Sequence, residues 1–309
     1  MRRKIILDCD PGHDDAVAIL LSGIAEELEL LGITTVAGNS YVKNTTKNAL
    51  ILAENADLKV PVCEGASKPL VRKQIVAPDI HGESGLEGAN LPDPTIKKDT
   101  RKAVEFIAEK VQEFQGEVTL CAVGPLTNIA IFLINYPHMI HQVKEIVIMG
   151  GGIAFGNTTP VAEFNIFADP EAAQIVFNSQ VPLTVFGLDV THQTKIHMQE
   201  IKKMQAFSSF VVSKMGVLLE FFHQTYFDVF GIKGAPLHDP CAIAYLIEPE
   251  MFEYEDYYCQ IELKGELTYG QTVVDYWKNS GQLTNSKWAI NANREKFIDL
   301  LFKKLSKYK

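Results

Sequence analysis

The sequence predicts an α/β fold: an open, mostly parallel sheet flanked by helices, with extra C-terminal helices and a small hairpin. Three observations carry this. Short aliphatic runs alternate with amphipathic stretches of helical length through the first two thirds of the chain. Turn residues and carboxylates gather directly after those runs, where open α/β sheets hold their ligands. No linker, low-complexity tract or fixed-period repeat interrupts the 309 residues, so residues 1–309 read as one domain. Strand-then-helix repetition puts helices on both sheet faces and makes neighbouring strands parallel.

Residues 4–9 (K-I-I-L-D-C) are a short apolar strand, and 14–25 a helix with an apolar face. Residues 30–36 read as a strand, 45–56 as a helix and 60–63 as a short strand. A Gly/Pro-marked stretch runs from 64 to about 95; its H-G-E-S-G-L-E-G at 81–88 is too glycine-rich for an element interior. Next come a helix at 101–114, a strand at 117–123 and a helix at 126–135. A strand at 145–149 ends in Gly150-Gly151-Gly152, and a helix at 171–178 and a strand at 183–188 follow. After about residue 195 two helical stretches, 198–214 and 217–227, come in succession. A Gly/Pro-rich turn then leads into a helix opening at His238, 259–263 and 271–275 pair as a hairpin, and 293–305 is an amphipathic helix.

Composition excludes several classes of function. With 47% hydrophobic and 22% charged residues the chain is neither disordered nor fibrous. A net charge of −9 gives no general attraction for nucleic acid or anionic membrane and favours cations instead. Apolar runs such as the six residues 16–21 fall far short of a bilayer span. Arg2-Arg3-Lys4 resembles the start of a signal peptide, but Asp8, Asp10, Asp14 and Asp15 break any apolar core behind it. Of five widely spaced cysteines (Cys9, Cys63, Cys121, Cys241, Cys259) with no C-x-x-C, four sit in apolar or strand-like contexts that suit a buried free thiol, which points to the cytoplasm.

The densest chemistry follows the first strand, in D-C-D-P-G-H-D-D-A at 8–16. Asp14 and Asp15 in the first turn of a helix have an ordinary use in offsetting its dipole. Asp8 and Asp10 beside them are not explained that way, and four carboxylates at one sheet edge repel unless protons or a cation intervene. A hard divalent cation resolves that repulsion. An EF-hand loop is excluded, since Gly12 falls at the fifth position from Asp8 and Ile19 at the twelfth. The P-loop G-K-[ST] and the dinucleotide G-x-G-x-x-G are absent. Three later segments add polar groups: V-G-P-L-T-N at 123–128, where Thr127 or Asn128 could be an ordinary cap, the loop 156–165 with Asn157, Glu163 and Asn165, and His238-Asp239-Pro240 at a helix start. Amides and a carboxylate beside aromatics suit a polyol such as a sugar.

Together with V-A-G-N at 36–39, H-G-E-S-G at 81–85, A-E-F-N at 162–165 and L-H-D-P at 237–240, these motifs resemble, in identity and order, the inosine–uridine-preferring nucleoside hydrolase family. The match spans essentially the whole chain. The resemblance implies a Rossmann-like fold and a Ca²⁺-dependent hydrolase, one ion per subunit, that splits ribonucleosides into ribose and free base. It implies that Asp10, Asp15, Asp239 and the carbonyl of Val123 hold the calcium, and that Asp10 is also the general base. Asp14, Asn39, Asn157, Glu163 and Asn165 match the positions that grip the ribose. His238 matches the leaving-group histidine, His81 lies toward the base, and Phe164, Phe222 and Tyr226 complete the substrate-binding set. A homotetramer or homodimer is implied as well. The residue types suit the chemistry, because clustered carboxylates stabilise an oxocarbenium-like ribosyl cation.

Phe222 can stack on a base but cannot donate a hydrogen bond, whereas Tyr226 keeps its hydroxyl. A helix face of core aromatics accounts equally for Phe222 and Phe230. With 262–275 similar to the broad-specificity members, a broad or inosine/uridine preference is expected, with strict pyrimidine specificity or a non-catalytic nucleoside-binding protein as alternatives. His13 reads as a supporting or surface residue. A phosphatase with an early D-x-D is the rival enzyme class, but Asp10 is followed here by Pro-Gly rather than a hydroxyl residue.

Overall fold

Ile5, Ile6 and Leu7 are each no more than 1% exposed, which a strand achieves only inside a sheet covered on both faces. They belong to β1 (Arg3–Cys9), the first of eight strands in the central sheet. The computed structural model describes residues 2–309. After β1 come α1 (His13–Ile24), β2 (Leu28–Thr35), α2 (Val42–Asn55), β3 (Val62–Glu64) and the short α3 (Pro78–His81). Then follow α4 (Ala103–Glu113), β4 (Val118–Ala122), α5 (Thr127–Asn135) and β5 (Val143–Met149). The chain continues with α6 (Phe164–Ala168), α7 (Pro170–Phe177), β6 (Leu183–Phe186), α8 (Leu188–Thr191) and β7 (Lys195–Ile196). The last third holds α9 (Met198–Gln205), α10 (Phe210–Phe230), β8 (Ala235–Pro236), α11 (His238–Ile247), β9 (Phe252–Tyr257), β10 (Cys259–Ile261), β11 (Thr272–Val274), β12 (Ser286–Ala292) and α12 (Arg294–Leu305).

The strand order is β3-β2-β1-β4-β5-β6-β12-β9, parallel throughout except for the last pair, β12 and β9. β10–β11 and β7–β8 are small antiparallel ribbons outside it. Two apolar cores sandwich the sheet. Ile5, Leu7 and Cys9 face the core built with α1, α2 and α9–α12, while Ile6 faces the one built with α4, α5 and α7, as the two-residue period of a strand requires. Helix α1 is apolar on every side because it is enclosed on every side; its residues from His13 to Ser22 are all buried.

The alternating elements lie where the sequence places them, to within a few residues at their ends. Three readings change. The helix break after residue 195 falls at 206–209, not at 215–216, because Gly216 sits inside α10 and does not end a helix. A β-carbon there would lie 2.7 Å from the backbone nitrogen of Gln205, so glycine is what lets α9 and α10 approach so closely. Strand β6 stops at Phe186, and Leu188 already belongs to α8. Strands β9 and β12 carry no strong sequence signal: F-E-Y-E-D-Y is an acidic edge strand whose exposed carboxylates discourage further pairing. Among the described residues, no helix is long and apolar enough to cross a membrane.

Candidate active site

The chain passes from β1 to β2 on one side and later returns to β4 on the other, so the sheet order reverses between β1 and β4. Ligands in open α/β sheets sit at that reversal, beyond the carboxyl ends of the strands. Asp10 follows β1 and Val123 follows β4, and the Val123 N–H donates to the carbonyl of Asp8 at 2.8 Å. The Asp10 carboxylate fits between two backbones. A β-carbon on Gly38 would come within 2.1 Å of its Oδ2, and one on Gly124 within 2.4 Å of its Oδ1. Asn39 fixes one edge, its backbone N–H donating to Oδ2 at 2.6 Å. Oδ1 is buried and has no hydrogen-bond partner.

Asp15 turns back across the start of α1 and accepts from the N–H groups of Asp10 (3.1 Å) and Gly12 (2.9 Å) and from the Asn39 side chain (3.2 Å). Asp239, in the first turn of α11, meets it from the other side. Oxygens of Asp14, Asp15 and Asp239, all buried, lie within 4.8 Å of one another. Burial raises every one of these acids, and mutual repulsion adds to it for Asp10, Asp14 and Asp239. Asp14 is pushed up to about 8, although backbone N–H groups of Asp239 and His238 pull the other way. No lysine or arginine is among the residues lining the adjoining cavity to offset the charge. An orphaned carboxylate oxygen beside three crowded acids fits a hard divalent cation with oxygen ligands. Of the implied set, Asp15 and Asp239 group with Asp14, while Asp10 adjoins them through its N–H to Asp15 and Val123 follows the neighbouring strand.

Asp8 is not part of that group. Its Oδ1 accepts from Thr34 Oγ1 (2.5 Å) and Asn128 Nδ2 (2.7 Å), and burial lifts it to about 7 despite both donors. Asn128 also donates to the Thr35 carbonyl and accepts from Ala66 N–H, while Thr127 donates to Asp169. Neither therefore caps α5; they tie the strand ends together.

A cavity of about 400 Å³ opens above these groups. Asp14, Asn39, Val123, Asn157, Glu163, Phe164 and Asn165 line one end of it, and His81, Phe222, Tyr226 and His238 also line it. Asp10 and Asp15 stand behind that lining. Glu163 caps α6, its Oε1 accepting from Asn165 N–H (2.9 Å) and its Oε2 from Gly151 (2.9 Å) and Ile166 (3.2 Å). Burial nonetheless raises its carboxyl to about 7. Gly151 serves that turn with φ +73°, a region a side chain would strain. Asn165 donates to the Val123 carbonyl at 2.8 Å, and Asn157 accepts from Phe164 N–H at 2.9 Å.

His238 lies between two hydroxyls, with Thr191 Oγ1 2.7 Å from Nδ1 and Tyr226 Oη 2.7 Å from Nε2. Burial holds this imidazole well below its usual range, so it is neutral and has one N–H and one lone pair to share between them. His81 and His13 are buried with their Nδ1 atoms 3.2 Å apart, and His13 Nε2 lies 2.8 Å from the Glu87 carbonyl. That carbonyl only accepts, so neutral His13 is protonated at Nε2. His81 Nδ1 also lies 3.4 Å from the backbone N–H of His13, which donates to it. Phe222 stacks on both rings and meets Tyr226 edge-on, so it is a core residue and a cavity wall at once. His13 is not at the surface, because a partner 68 residues away covers it. Thr191, Met149, Phe167 and the segment 75–80 also border or brace the site and carry no sequence signal. Only the fold brings them there.

A model of the family described as inosine-uridine preferring nucleoside hydrolase matches residues 5–299. The pyrimidine-specific ribonucleoside hydrolase RihA of Salmonella typhimurium is 44% identical over 310 residues, covering 100% of each chain. RihA of Shewanella woodyi is 46% identical, covering 100% of this chain and 99% of its own. Among solved structures, the plant nucleoside hydrolase PpNRh1 superposes with a TM-score of 0.93 at 30% identity, over 99% of this chain and 100% of its own. The purine-preferring ribonucleoside hydrolase from Gardnerella vaginalis does so with 0.93 at 30%, over 98% of each.

Proposed function

The chain belongs to the inosine-uridine preferring nucleoside hydrolase family, and from that premise we propose how this ribonucleoside N-glycosyl hydrolase works. The carrying observation is the orphaned Oδ1 of Asp10 beside the buried Asp14, Asp15 and Asp239, beneath a cavity lined by amides and a carboxylate. Asp10, Asp15, Asp239 and the Val123 carbonyl would hold a Ca²⁺. When bound, that ion supplies a fixed positive charge that orders water and sugar hydroxyls and makes the water more acidic.

Asp10 has one oxygen pinned by Asn39 and the other free of protein partners, so the free one takes the proton of the attacking water. Attack from the face opposite the base inverts the anomeric carbon. Asp14, Asn39, Asn157, Glu163 and Asn165 hold the ribose hydroxyls and place the anomeric carbon against that water. The unshared negative charge of the site favours a ribosyl cation as the bond lengthens. The base leaves neutral. Tyr226 gives it the phenolic proton, and the phenolate then accepts from His238 Nε2–H while His238 Nδ1 accepts from the Thr191 hydroxyl. The proton that Asp10 took from the water restores the phenol as products leave. His81 presents its imidazole to the polar edge of the base, against the apolar walls of Phe222 and Phe164.

Pyrimidine ribonucleosides are the proposed first choice, a reading supported by the names of relatives that match end to end. A broad or inosine/uridine preference is the second reading, favoured by a 400 Å³ cavity and by the likeness to a purine-preferring enzyme. A homotetramer or homodimer and a cytoplasmic location belong to the same proposal, the latter supported by five free buried cysteines. The unbroken central sheet supports reading residues 1–309 as one domain. The test is a panel of kcat/KM values for uridine, cytidine, inosine and adenosine, with Ca²⁺ and with chelator. Uridine and cytidine ahead by more than about tenfold support the first reading, and comparable values support the second. Full activity in chelator refutes the cation.

A further inference from the structure

Beside the main cavity lies a second one of about 310 Å³, within the size range of small-molecule sites. Asn157, Tyr226 and Phe230 line both, so the two chambers share a wall. Phe155, Gly156, His192 and Ile232 complete the second. Phe155 and His192 meet edge to face with centroids 5.2 Å apart, and Tyr226 and Phe230 meet at 5.2 Å. The His192 ring also stands 5.5 Å from that of His238. The Nε2 of His192 is buried with no hydrogen-bond partner. A buried polar atom left unmatched is unfavourable, so it marks a place where something else completes the bond.

We propose that this side chamber is a second binding site, for the free nucleobase, which enters past Tyr226 and Phe230 once the glycosidic bond is broken. The chemistry of the lining selects that class. Aromatic walls suit a planar ring. The imidazole of His192 and the amide of Asn157 can each donate or accept, matching the N–H and C=O edge of a heterocycle such as uracil. No charged side chain faces the chamber, so it offers nothing to phosphate or to a metal ion. Its three polar groups are too few to replace the water around ribose. The base would leave the ribose site without crossing the acidic cluster, and water could re-enter behind it.

The inference rests on the hydrolase reading, and its test separates the two. Calorimetric titration of the full-length protein with uracil and with hypoxanthine compares wild type with His192→Leu, which removes the orphaned nitrogen, and Ile232→Trp, which fills the chamber. Expected is at least a tenfold weaker Kd for free base in both variants, with ribose affinity and single-turnover cleavage of uridine within about threefold of wild type. Base affinity unchanged in His192→Leu overturns the proposal and leaves the chamber to water, whether or not Ile232→Trp folds. Base binding that depends on His192 in a protein that cleaves no ribonucleoside would overturn the hydrolase reading and leave the chamber standing.

Discussion

Glu163 shows how much a single buried carboxylate controls. Burial outweighs the backbone donors around it and raises it from an ordinary 4.5 to about 7. The native state therefore holds a proton that the unfolded chain has released, and stability is lost as pH rises from 4.5 toward 7. In the metal-free protein Glu163→Gln should flatten that part of the pH–stability curve, a difference on the order of 3 kcal/mol at most, read by urea unfolding at pH 5 and pH 8. A parallel curve would refute the assignment. Tyr226→Phe removes the hydroxyl 2.7 Å from His238 Nε2 and should lower kcat for uridine by roughly 10²-fold. A riboside whose leaving group departs as a stable anion should be cleaved almost normally by the same variant; an equal loss on both substrates would remove Tyr226 from the proton route. The polar residues that matter were legible where they follow strands, as Asp10, Asn39 and Val123 do. His13, Thr191 and Asp8 were not, because their environment is made by partners distant in sequence, such as His81, His238 and Asn128.

Glycines set the spacing between elements. Gly124, at the turn from β4 to α5, leaves room for Asp10 Oδ1, and Gly124→Ala should abolish detectable turnover with little change in melting temperature. Retained activity would show that Asp10 can move without cost. Gly216 works on packing instead. Gly216→Val forces α9 and α10 apart and should destabilise by about 1–3 kcal/mol, measured by urea unfolding, with kcat unaffected in the surviving fold. The sequence misplaced this helix boundary because a glycine inside an amphipathic stretch looks like a terminator, and its reason for being there is a neighbouring backbone. Strands β9 and β12 were missed for a related reason: their short, partly acidic segments gain strand form by pairing with each other and with β6.

Across the whole molecule, the reversal of strand order between β1 and β4 puts residues from 14 to 239 around one cavity. That architecture was legible from alternation alone, and so was the position of the site at the strand ends. The charge balance was only half legible: a total of −9 favoured cations, while the structure shows which acids are crowded and that Asp8 is held at one oxygen by Thr34 and Asn128. Because the crowded acids lose repulsion when a cation joins them, Ca²⁺ at a hundredfold excess over its Kd should raise the melting temperature by several degrees, and chelation should reverse it. Asp239→Asn should largely remove that increment; an undiminished increment would place the ion elsewhere. If Asp10 activates water at this site for glycosidic cleavage, uridine turnover in phosphate-free buffer with Ca²⁺, scoring ribose and uracil together, should yield equal amounts of both from wild type and at least about 100-fold less from Asp10→Asn. Turnover that requires phosphate, or a variant within about tenfold of wild type, would rule out that role for Asp10.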